Sequence, residues 1–394
     1  MTAVLQGMRV LDFGRYIAGP YCAALLAEYG AEVIRVERRG GGEDRAVAPV
    51  TPGGDGALFL QMNRNKLSLT LDPMADDGRE IVRRLVATAD VVVANLPPTT
   101  LSAMRLDYAS LCAVKPDIVL TTISAYGSRG PLSGRLGFDG IGQAMSGAAY
   151  MSGDPERPAR AAVSWVDFST ALHAAFGTLL ALMERARTGK GQIVEAALLP
   201  SAVALNGVYV TEQAVLGRNR MPSGSRGQLV APSDVFRTRD GWILCQVIGN
   251  AMFARWATLV GEPAWPSDPR FHDDASRGDH GAVISERMAS WCADRTNADA
   301  LHALEQAGIP GAAVLTPQGV LDDPQVQATG VLEPVDYPGI PTPAPIARVP
   351  VWLSATSRVP RGRAPTVGEH TDAILAQLGY GGDAIATLRR KGVV

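Results

Sequence analysis

Residues 5–37, LQGMRVLDFGRYIAGPYCAALLAEYGAEVIRVE, decide the fold class of this chain. Met8–Phe13 is a short apolar run of strand length, and Gly19-Pro20 then opens a helix that extends through Tyr29. Glu32–Glu37 (EVIRVE) alternates apolar and polar residues, as a strand does. A strand, a helix and a second strand in succession predict a parallel α/β sheet.

The same alternation continues beyond this stretch. Asp76–Thr88 has the apolar spacing of a helix, whereas Asp90–Ala94 and Ile118–Ile123 are β-rich runs. The longest helix is predicted over Ser169–Arg187, and Gly189 just after it suits the left-handed residue that often ends a helix. These elements extend the predicted parallel sheet over the first half of the chain.

The middle of the chain has a different character, which predicts a second domain of the α+β class. Ser233–Ile248 indicates a β-hairpin with Asp240-Gly241 at the turn. Before it, Arg218–Gly227 (RNRMPSGSRG) is polar and glycine-bearing, which is typical of an exposed loop. After it, Asp336–Pro350 is proline-rich and indicates a linker rather than a helix. Three helical segments lie between them, at Ala251–Val260, His280–Ala293 and Asn297–Ala307.

Composition favours a soluble, cytoplasmic protein. The 37 Lys and Arg nearly balance the 39 Asp and Glu, so no overall charge favours nucleic acid or an anionic membrane. The N-terminal residues lack the pattern of a signal peptide, and no apolar run approaches the ~20 residues that span a bilayer. Four dispersed cysteines and five histidines without ligand spacing predict neither a disulfide framework nor a metal site.

Two features of the first half could bind an anion. The turn Phe13–Pro20 joins a strand to a helix, so its backbone N–H groups could face a ligand or could simply close the fold. Glu37 ends the second strand, where a dinucleotide fold holds its ribose-binding acid, but the GxGxxG spacing is absent. The cations of Arg38-Arg39 and Asn63–Lys66 suit phosphates, although such residues are more often solvated.

Asp167 stands just before the longest predicted helix, in VSWVDFST. An aspartate in this place is usually an N-cap. The helix N-terminus also favours an ionised carboxylate and lowers its pKa, so Asp167 beside Trp165 and Phe168 is a candidate nucleophile toward a thioester. The residues alone leave both interpretations open.

Eight segments, spaced over almost the whole chain, resemble the class III CoA-transferases, the family of formyl-CoA transferase and carnitine CoA-transferase. The first is residues 5–37. The others are NRNKLSLTLD (63–72), ADVVVANLPP (89–98), SAYGSRGPLSG (124–134), FDGIGQAMSGAAYMSG (138–153), LMERARTGKGQIVEAALL (182–199), AGIPGAAVLTPQGVLDDPQV (307–326) and VGEHTDAILAQLG (367–379).

The resemblance implies a site and a mechanism. Asp167 matches the nucleophile of the family, which passes CoA between carboxylic acids through an aspartyl-CoA intermediate in a ping-pong exchange. The partners implied are an acyl-CoA and a small carboxylic acid, with no metal and no separate cofactor. The positions that match the CoA groove are Ile17, Ala18, Arg38, Leu71, Asp72, Pro73, Met74, Asn95, Leu96, Pro97, Arg135, Leu136, Gly137 and Phe138.

Two departures from the family pattern bear on the substrate. Arg15 stands where formyl-type members often carry histidine, and a fixed cation there suits an acid with a second carboxylate. We therefore expect a short dicarboxylate acceptor such as succinate, itaconate, mesaconate or citramalate, with succinyl-CoA as donor. Ala103 stands where relatives often carry an arginine that contacts a CoA phosphate, with Arg105 two residues on.

The same superfamily offers two other functions. The 2-methylacyl-CoA racemases pair an aspartate with the histidine of a GHD sequence, but this chain reads Gly137-Phe138-Asp139, and phenylalanine cannot exchange a proton. A non-catalytic CoA-binding protein is the third alternative, and an intact Asp167 argues against it.

The resemblance also implies an architecture. A large Rossmann-like α/β domain is expected over residues 1–205, completed by 351–394, with a smaller α+β domain over 228–330. Residues 206–227 and 331–350 are the expected linkers, and Ser223–Gly227 lies near the glycine-rich flap of relatives. Two chains are expected to interlock as rings in a homodimer.

Overall fold

Six parallel strands form the main sheet, as the alternation of strands and helices predicts. The structure is a computed structural model that describes residues 3–356 and 362–394. The strand order is β3-β2-β1-β4-β5-β6. The order therefore reverses between β1 and β4, where the following loops turn to opposite sides and open a crevice at the carboxyl edge of the sheet.

The strands of this sheet are β1 (Arg9–Asp12), β2 (Glu32–Glu37), β3 (Lys66–Thr70), β4 (Val91–Ala94), β5 (Val119–Ser124) and β6 (Ile193–Ala197). The remaining strands form two antiparallel sheets: β7 (Ser233–Arg237), β8 (Trp242–Gln246) and β9 (Gly311–Ala313), then β10 (Leu332–Val335) and β11 (Ala344–Ala347).

The helices are α1 (Ala18–Glu28), α2 (Ala57–Met62), α3 (Asp76–Thr88), α4 (Pro98–Ala103), α5 (Tyr108–Val114), α6 (Asp139–Met145), α7 (Ala148–Met151), α8 (Trp165–Thr188), α9 (Leu198–Leu205), α10 (Gly207–Leu216), α11 (Asn250–Leu259), α12 (Asp274–Asp279), α13 (Gly281–Ala293), α14 (Asn297–Gln306), α15 (Pro317–Asp322), α16 (Pro324–Thr329), α17 (Thr371–Gln377) and α18 (Gly382–Arg390).

Helices cover both faces of the main sheet, so its strands are buried on both sides. Leu11 on β1 faces a core formed with α3, α17 and α18. Its neighbour Val10 faces the opposite core, formed with α1 and α8. Two helices near the C-terminus thus pack on a sheet built by the first half of the chain.

The chain divides into two compact units. The first comprises residues 1–147, 161–211 and 328–394, and the second comprises 148–160 and 212–327. The second unit has its own apolar core, and it contains the predicted hairpin with β7 and β8 paired antiparallel. Residues 331–350, which we expected to be a linker, contain the paired strands β10 and β11. Within the second unit, Arg218 and Arg220 of the polar loop pair with Asp279 and Glu212.

Helix α8 begins earlier than predicted, at Trp165 rather than Ser169. Asp167 therefore lies inside the first turn, and Ser164 takes the N-cap position without a side-chain hydrogen bond. By length and composition α8 could cross a membrane, although a single such helix is weak evidence for a membrane span, and eight of its 24 residues are buried in the fold.

A network of buried charges lies beneath the turn after β1. Lys66 Nζ is 2.6 Å from Asp12 Oδ2, and both side chains are fully buried. Arg35 bonds Asp44 at 2.8 Å, and Arg45 bonds Glu37 at 2.7 Å. Each charge is matched by an opposite one, which is the condition for burying it. The polar residues of EVIRVE are therefore internal rather than solvated, except for the half-buried Glu32.

Candidate active site

A cavity of about 260 Å³ opens at the carboxyl ends of β1, β4 and β5. It lies where the strand order reverses, which is the usual position of a ligand site in an open parallel sheet. The residues that line it are Arg15, Tyr16, Ile17, Ala18, Asn95, Leu96, Pro97, Pro98, Ile123, Ser124, Ala125, Ser133, Gly134, Arg135, Leu136, Gly137, Phe138, Asp167 and Leu198.

Side chains of the first unit hold the turn between β1 and α1 in place. The backbone N–H groups of Gly14 and Tyr16 donate to Asp12 at 2.7 Å and to Asp44 at 3.3 Å. The side chain of Asn95, which follows β4, makes two hydrogen bonds to the backbone of Arg15. Its Oδ1 accepts from Arg15 N at 2.7 Å, and its Nδ2 donates to Arg15 O at 2.9 Å. These contacts hold Tyr16 at a φ of 61°, a left-handed conformation that costs free energy in a residue other than glycine.

Only some of the backbone N–H groups of the turn are free to bind an anion. The N–H groups of Gly14, Arg15 and Tyr16 are already bonded within the chain. Ile17 and Ala18, at the start of α1, line the cavity, and their N–H groups have no acceptor in the described part of the chain. An anion at this turn would therefore be held by Ile17 and Ala18.

The guanidinium of Arg15 bonds to the rest of the protein through one of its three nitrogens. Its Nη1 donates to the carbonyls of Phe13, Gly14 and Val36 at 3.0–3.4 Å. Its Nε and Nη2 have no acceptor in residues 3–356 and 362–394. Burial, and next the charge of Arg35, lower the pKa of Arg15. Two donor nitrogens of this half-buried cation on the cavity wall are thus open to a ligand.

Asp167 does not cap its own helix. The buried carboxylate of Asp139, on α6, accepts from the backbone N–H groups of Val166 at 2.8 Å and Asp167 at 3.1 Å. Asp139 thus does for α8 what an N-cap side chain does, from a different helix. The carboxylate of Asp167 is left on the cavity wall with no hydrogen-bond partner among the described residues.

The pKa of Asp167 is raised to about 7, first by burial and next by the negative charge of Asp139. The sequence argument predicted a lowered pKa, and that prediction is wrong for the unliganded site. The expected stabilisation came from the N-terminal N–H groups of α8, but Asp139 accepts two of those groups. Burial therefore disfavours the ionised form of Asp167 without compensation, and the negative charge of Asp139 disfavours it further.

Comparison with known families decides the identity. The family model of CoA-transferase family III matches residues 5–371. The chain belongs to CoA-transferase family III. Both the family and the enzyme class predicted from the sequence are thereby confirmed.

Relatives match this family III chain along nearly its full length. It is 34% identical to succinyl-CoA–D-citramalate CoA-transferase of Chloroflexus aurantiacus, over 99% of this chain and 98% of the relative. It is 30% identical to human succinyl-CoA:glutarate CoA-transferase, over 99% and 90% of the two chains. A solved CAIB/BAIF family protein from Brucella suis has a TM-score of 0.83 and 31% identity, over 96% of this chain and 100% of that one.

The cavity brings together most of the site residues predicted for this family III enzyme. Asp167, Arg15 and the predicted groove segments 17–18, 95–97 and 135–138 all line it. Arg38 and Leu71–Met74 do not. They follow β2 and β3 along the same edge of the sheet, and the Arg38 side chain is 61% exposed and pairs with Glu43.

Other charged residues that the sequence suggested as ligand-binding groups form buried ion pairs within the fold. Arg64 and Lys66 are buried and pair with Glu28 and Asp12, so they are not the phosphate-binding cations that the sequence suggested as one possibility. Glu37 is buried in an ion pair with Arg45. It could not reach a ribose unless this ion pair broke. Phe138 is 66% exposed on the cavity wall, edge-on to Tyr16, so position 138 offers no proton-exchanging group.

Sequence reasoning missed Asp139 and Asp44. Asp139 was noticed only as the last residue of Gly137-Phe138-Asp139, and Asp44 not at all. An aspartate at the start of a helix usually caps that same helix, but here Asp139 accepts from the N-terminus of another helix. No local pattern gives that pairing.

We predict that Asp167→Asn stabilises the folded protein in a pH-dependent way. The folded pKa of about 7 lies above the ordinary aspartate pKa of 3.8, so folding disfavours the ionised form. This cost is absent below pH 4, grows between pH 4 and 7, and is complete above pH 7. The stabilisation at pH 8 should exceed that at pH 5 by about 2–3 kcal/mol.

Urea unfolding of both proteins across this pH range measures the difference. Asp383→Asn, at an exposed aspartate in the first turn of α18, is the matched control and should show no such trend. A stability difference for Asp167→Asn that stays constant with pH would contradict the raised pKa.

Proposed function

We propose that this enzyme transfers CoA from succinyl-CoA to a short dicarboxylic acid by ping-pong exchange, with Asp167 as the nucleophile. The observation that carries the proposal is the state of the Asp167 carboxylate. It is half-buried on the wall of the cavity and is not committed to any hydrogen bond among the described residues. A desolvated carboxylate without a partner is a reactive nucleophile toward a thioester.

The chemistry balances with this one carboxylate. An oxygen of Asp167 attacks the thioester carbonyl carbon, the C–S bond breaks, and CoA leaves as the thiolate from a mixed anhydride. The thiolate then attacks Cγ of Asp167, the anhydride C–O bond breaks, and succinate leaves an aspartyl-CoA thioester. The acceptor carboxylate reverses these two steps and departs as its CoA thioester. No net proton is taken up or released.

The carboxyl edge of the sheet offers a path for CoA. The cavity lies at β1, β4 and β5, and Arg38 and Leu71–Met74 follow β2 and β3. These strands are successive neighbours, about 5 Å apart. We place the acyl end of CoA at Asp167 and the rest of the molecule along this edge, where Arg38 is exposed and carries positive charge.

Arg15 supports the dicarboxylate as the acceptor class. Its two open donors lie in the same cavity as Asp167, so one carboxylate of the acceptor can be held while the other reacts. Among the relatives, enzymes named for succinyl-CoA with citramalate, glutarate or mesaconate act on such acids. The same pocket would leave a monocarboxylate without a partner for Arg15.

We predict that Asp167→Ala abolishes CoA exchange between succinyl-CoA and a panel of dicarboxylates, followed by mass spectrometry of the acyl-CoA products. Loss of about a thousandfold or more is expected, because Asp167 is the one carboxylate among the described residues that line the cavity. Asp383→Ala is the control and should exchange at the wild-type rate. Exchange that persists in Asp167→Ala would exclude this mechanism.

We predict that Arg15→Gln raises KM for glutarate by about 10–100-fold and leaves KM for pentanoate, the monocarboxylate of the same length, within about twofold. Steady-state rates with succinyl-CoA as donor give both values. Arg390→Gln, at an exposed arginine of α18, is the control. An equal rise for both acids would show that Arg15 only supports the turn.

We also propose that the enzyme is a homodimer that buries part of α8. Leu172, Phe176, Leu180 and Met183 lie on one face of this helix and are each 49–69% exposed. Four large apolar residues in one stripe cost free energy in water unless another surface covers them. A second copy of the chain, as the family resemblance implies, would cover them.

Light scattering after size-exclusion chromatography should therefore give twice the mass of the chain. Phe176→Glu together with Met183→Glu should shift it toward the monomer, whereas Val283→Glu, at an exposed valine on α13, should not. A monomeric wild type at micromolar concentration would contradict the proposal.

A further inference from the structure

Asp139 touches the nucleophile's backbone but faces the protein interior. It is the first residue of α6, is 5% exposed, and does not line the cavity. Its Oδ1 accepts from Val166 and Asp167, and its Oδ2 accepts from Gln143 Nε2 at 2.5 Å. The hydrogen bonds that this carboxylate accepts therefore come from the first turn of α8 and from Gln143.

Gln143 holds both Asp139 and the segment that enters α8. It is buried, its Nε2 also lies 3.4 Å from the carbonyl of Val163, and its Oε1 accepts from Ala161 N at 2.8 Å. Helix α6 also approaches α8 closely at Gly142, where a Cβ would come within 2.7 Å of the Val166 side chain. Asp139 therefore cannot swing away from Asp167 without disturbing two helices.

The acids buried elsewhere in the first unit are neutralised, and this pair is not. Asp12, Glu28, Glu37 and Asp44 each have a Lys or Arg partner. Asp139 has only uncharged N–H donors, and Asp167 has none among the described residues. The two acids share one helix terminus, and no Lys or Arg of the described residues bonds to either.

We propose that Asp139 is a positioning residue that fixes Asp167 in the cavity and, through its charge, drives Asp167 from the free carboxylate toward the acylated form. This inference rests on the proposed function. Free Asp167 is an anion beside an anion. When Asp167 attacks the thioester carbon and the C–S bond breaks, the negative charge leaves on the CoA thiolate. The anhydride and the aspartyl-CoA thioester are both neutral at Asp167, so the repulsion is relieved in each.

The pKa of Asp167 supports this account, since burial first and Asp139 next raise it. Other titratable or charged groups lie on the cavity wall and on the main elements packed against α8. They are Arg15, Tyr16 and Arg135 around the cavity, Tyr21, Cys22 and Glu28 on α1, Glu195 on β6, and His173 on α8 itself.

The test is Asp139→Asn, which keeps an oxygen for the two backbone N–H groups and removes the charge. The first readout is the pH profile of kcat/KM for succinyl-CoA, which falls on the acid side as Asp167 takes up a proton. We expect this acid limb to move down by about one pH unit in the variant. The second readout is the equilibrium fraction of aspartyl-CoA enzyme at a fixed ratio of succinyl-CoA to succinate. We expect its equilibrium constant to fall about tenfold.

Two controls separate charge from helix capping. Asp107→Asn changes an aspartate that caps α5 and lies outside the cavity, so it should move neither readout. Asp139→Ser removes the same charge with a different side chain, and it should reproduce both shifts if Asp139→Asn does not fold.

The outcomes are distinct. An unchanged acid limb and an unchanged equilibrium constant, in a folded variant without the Asp139 charge, would overturn this inference and leave Asp139 as a helix cap only. Wild-type exchange in Asp167→Ala would overturn the proposed function itself, whatever Asp139→Asn does.

Discussion

A buried charge must find a partner, and this constraint shapes the carboxyl edge of the main sheet. Lys66 is paired with Asp12, Arg35 with Asp44 and Arg45 with Glu37. These pairs lie directly beneath the turn after β1, and two of their acids also accept backbone N–H groups of that turn. Removing one member would leave its partner buried and uncompensated, which typically costs about 3–5 kcal/mol. The network thus fixes the wall on which the substrate would lie.

The same constraint explains why Asp167 differs from the other acids of this unit. Its carboxylate has no hydrogen-bond partner in the described chain, and its backbone N–H is taken by another acid, Asp139. Lys66, Arg35 and Arg45 form their ion pairs beneath the turn, and no cation of the described residues is hydrogen-bonded to Asp167. A carboxylate held in this way has more to gain from forming a covalent bond than one held in an ion pair. A carboxylate without a partner at this point is what the proposed nucleophilic role of Asp167 requires.

Prediction from sequence succeeded where the signal was local. The order of strands and helices followed from apolar spacing, and α3 has the bounds that its spacing predicts. Residues of the β1–α1 turn and Asp167 could be proposed as a site because strand ends and helix starts are visible in the sequence, and the family resemblance added the remaining groove residues.

It failed where the partner was remote. Arg35 and Glu37 have the alternation of a half-exposed strand, yet both are buried, because Asp44 and Arg45 in the short 3-10 helix that follows, Glu43–Ala46, neutralise them. Asp139, on a helix that begins 28 residues before Asp167, accepts the first N–H groups of α8, and its charge adds to the effect of burial in raising the pKa of Asp167. Pairings of this kind depend on the assembled fold, and no spacing rule encodes them.

The measurement that tests the central claim most directly is intact-protein mass spectrometry after incubation with succinyl-CoA alone, without an acceptor acid. We expect an adduct equal in mass to CoA minus one water, on the peptide that contains Asp167, and its release as acyl-CoA when a dicarboxylate is added. An adduct on a different residue, or turnover through a ternary complex with no covalent enzyme form, would contradict the account.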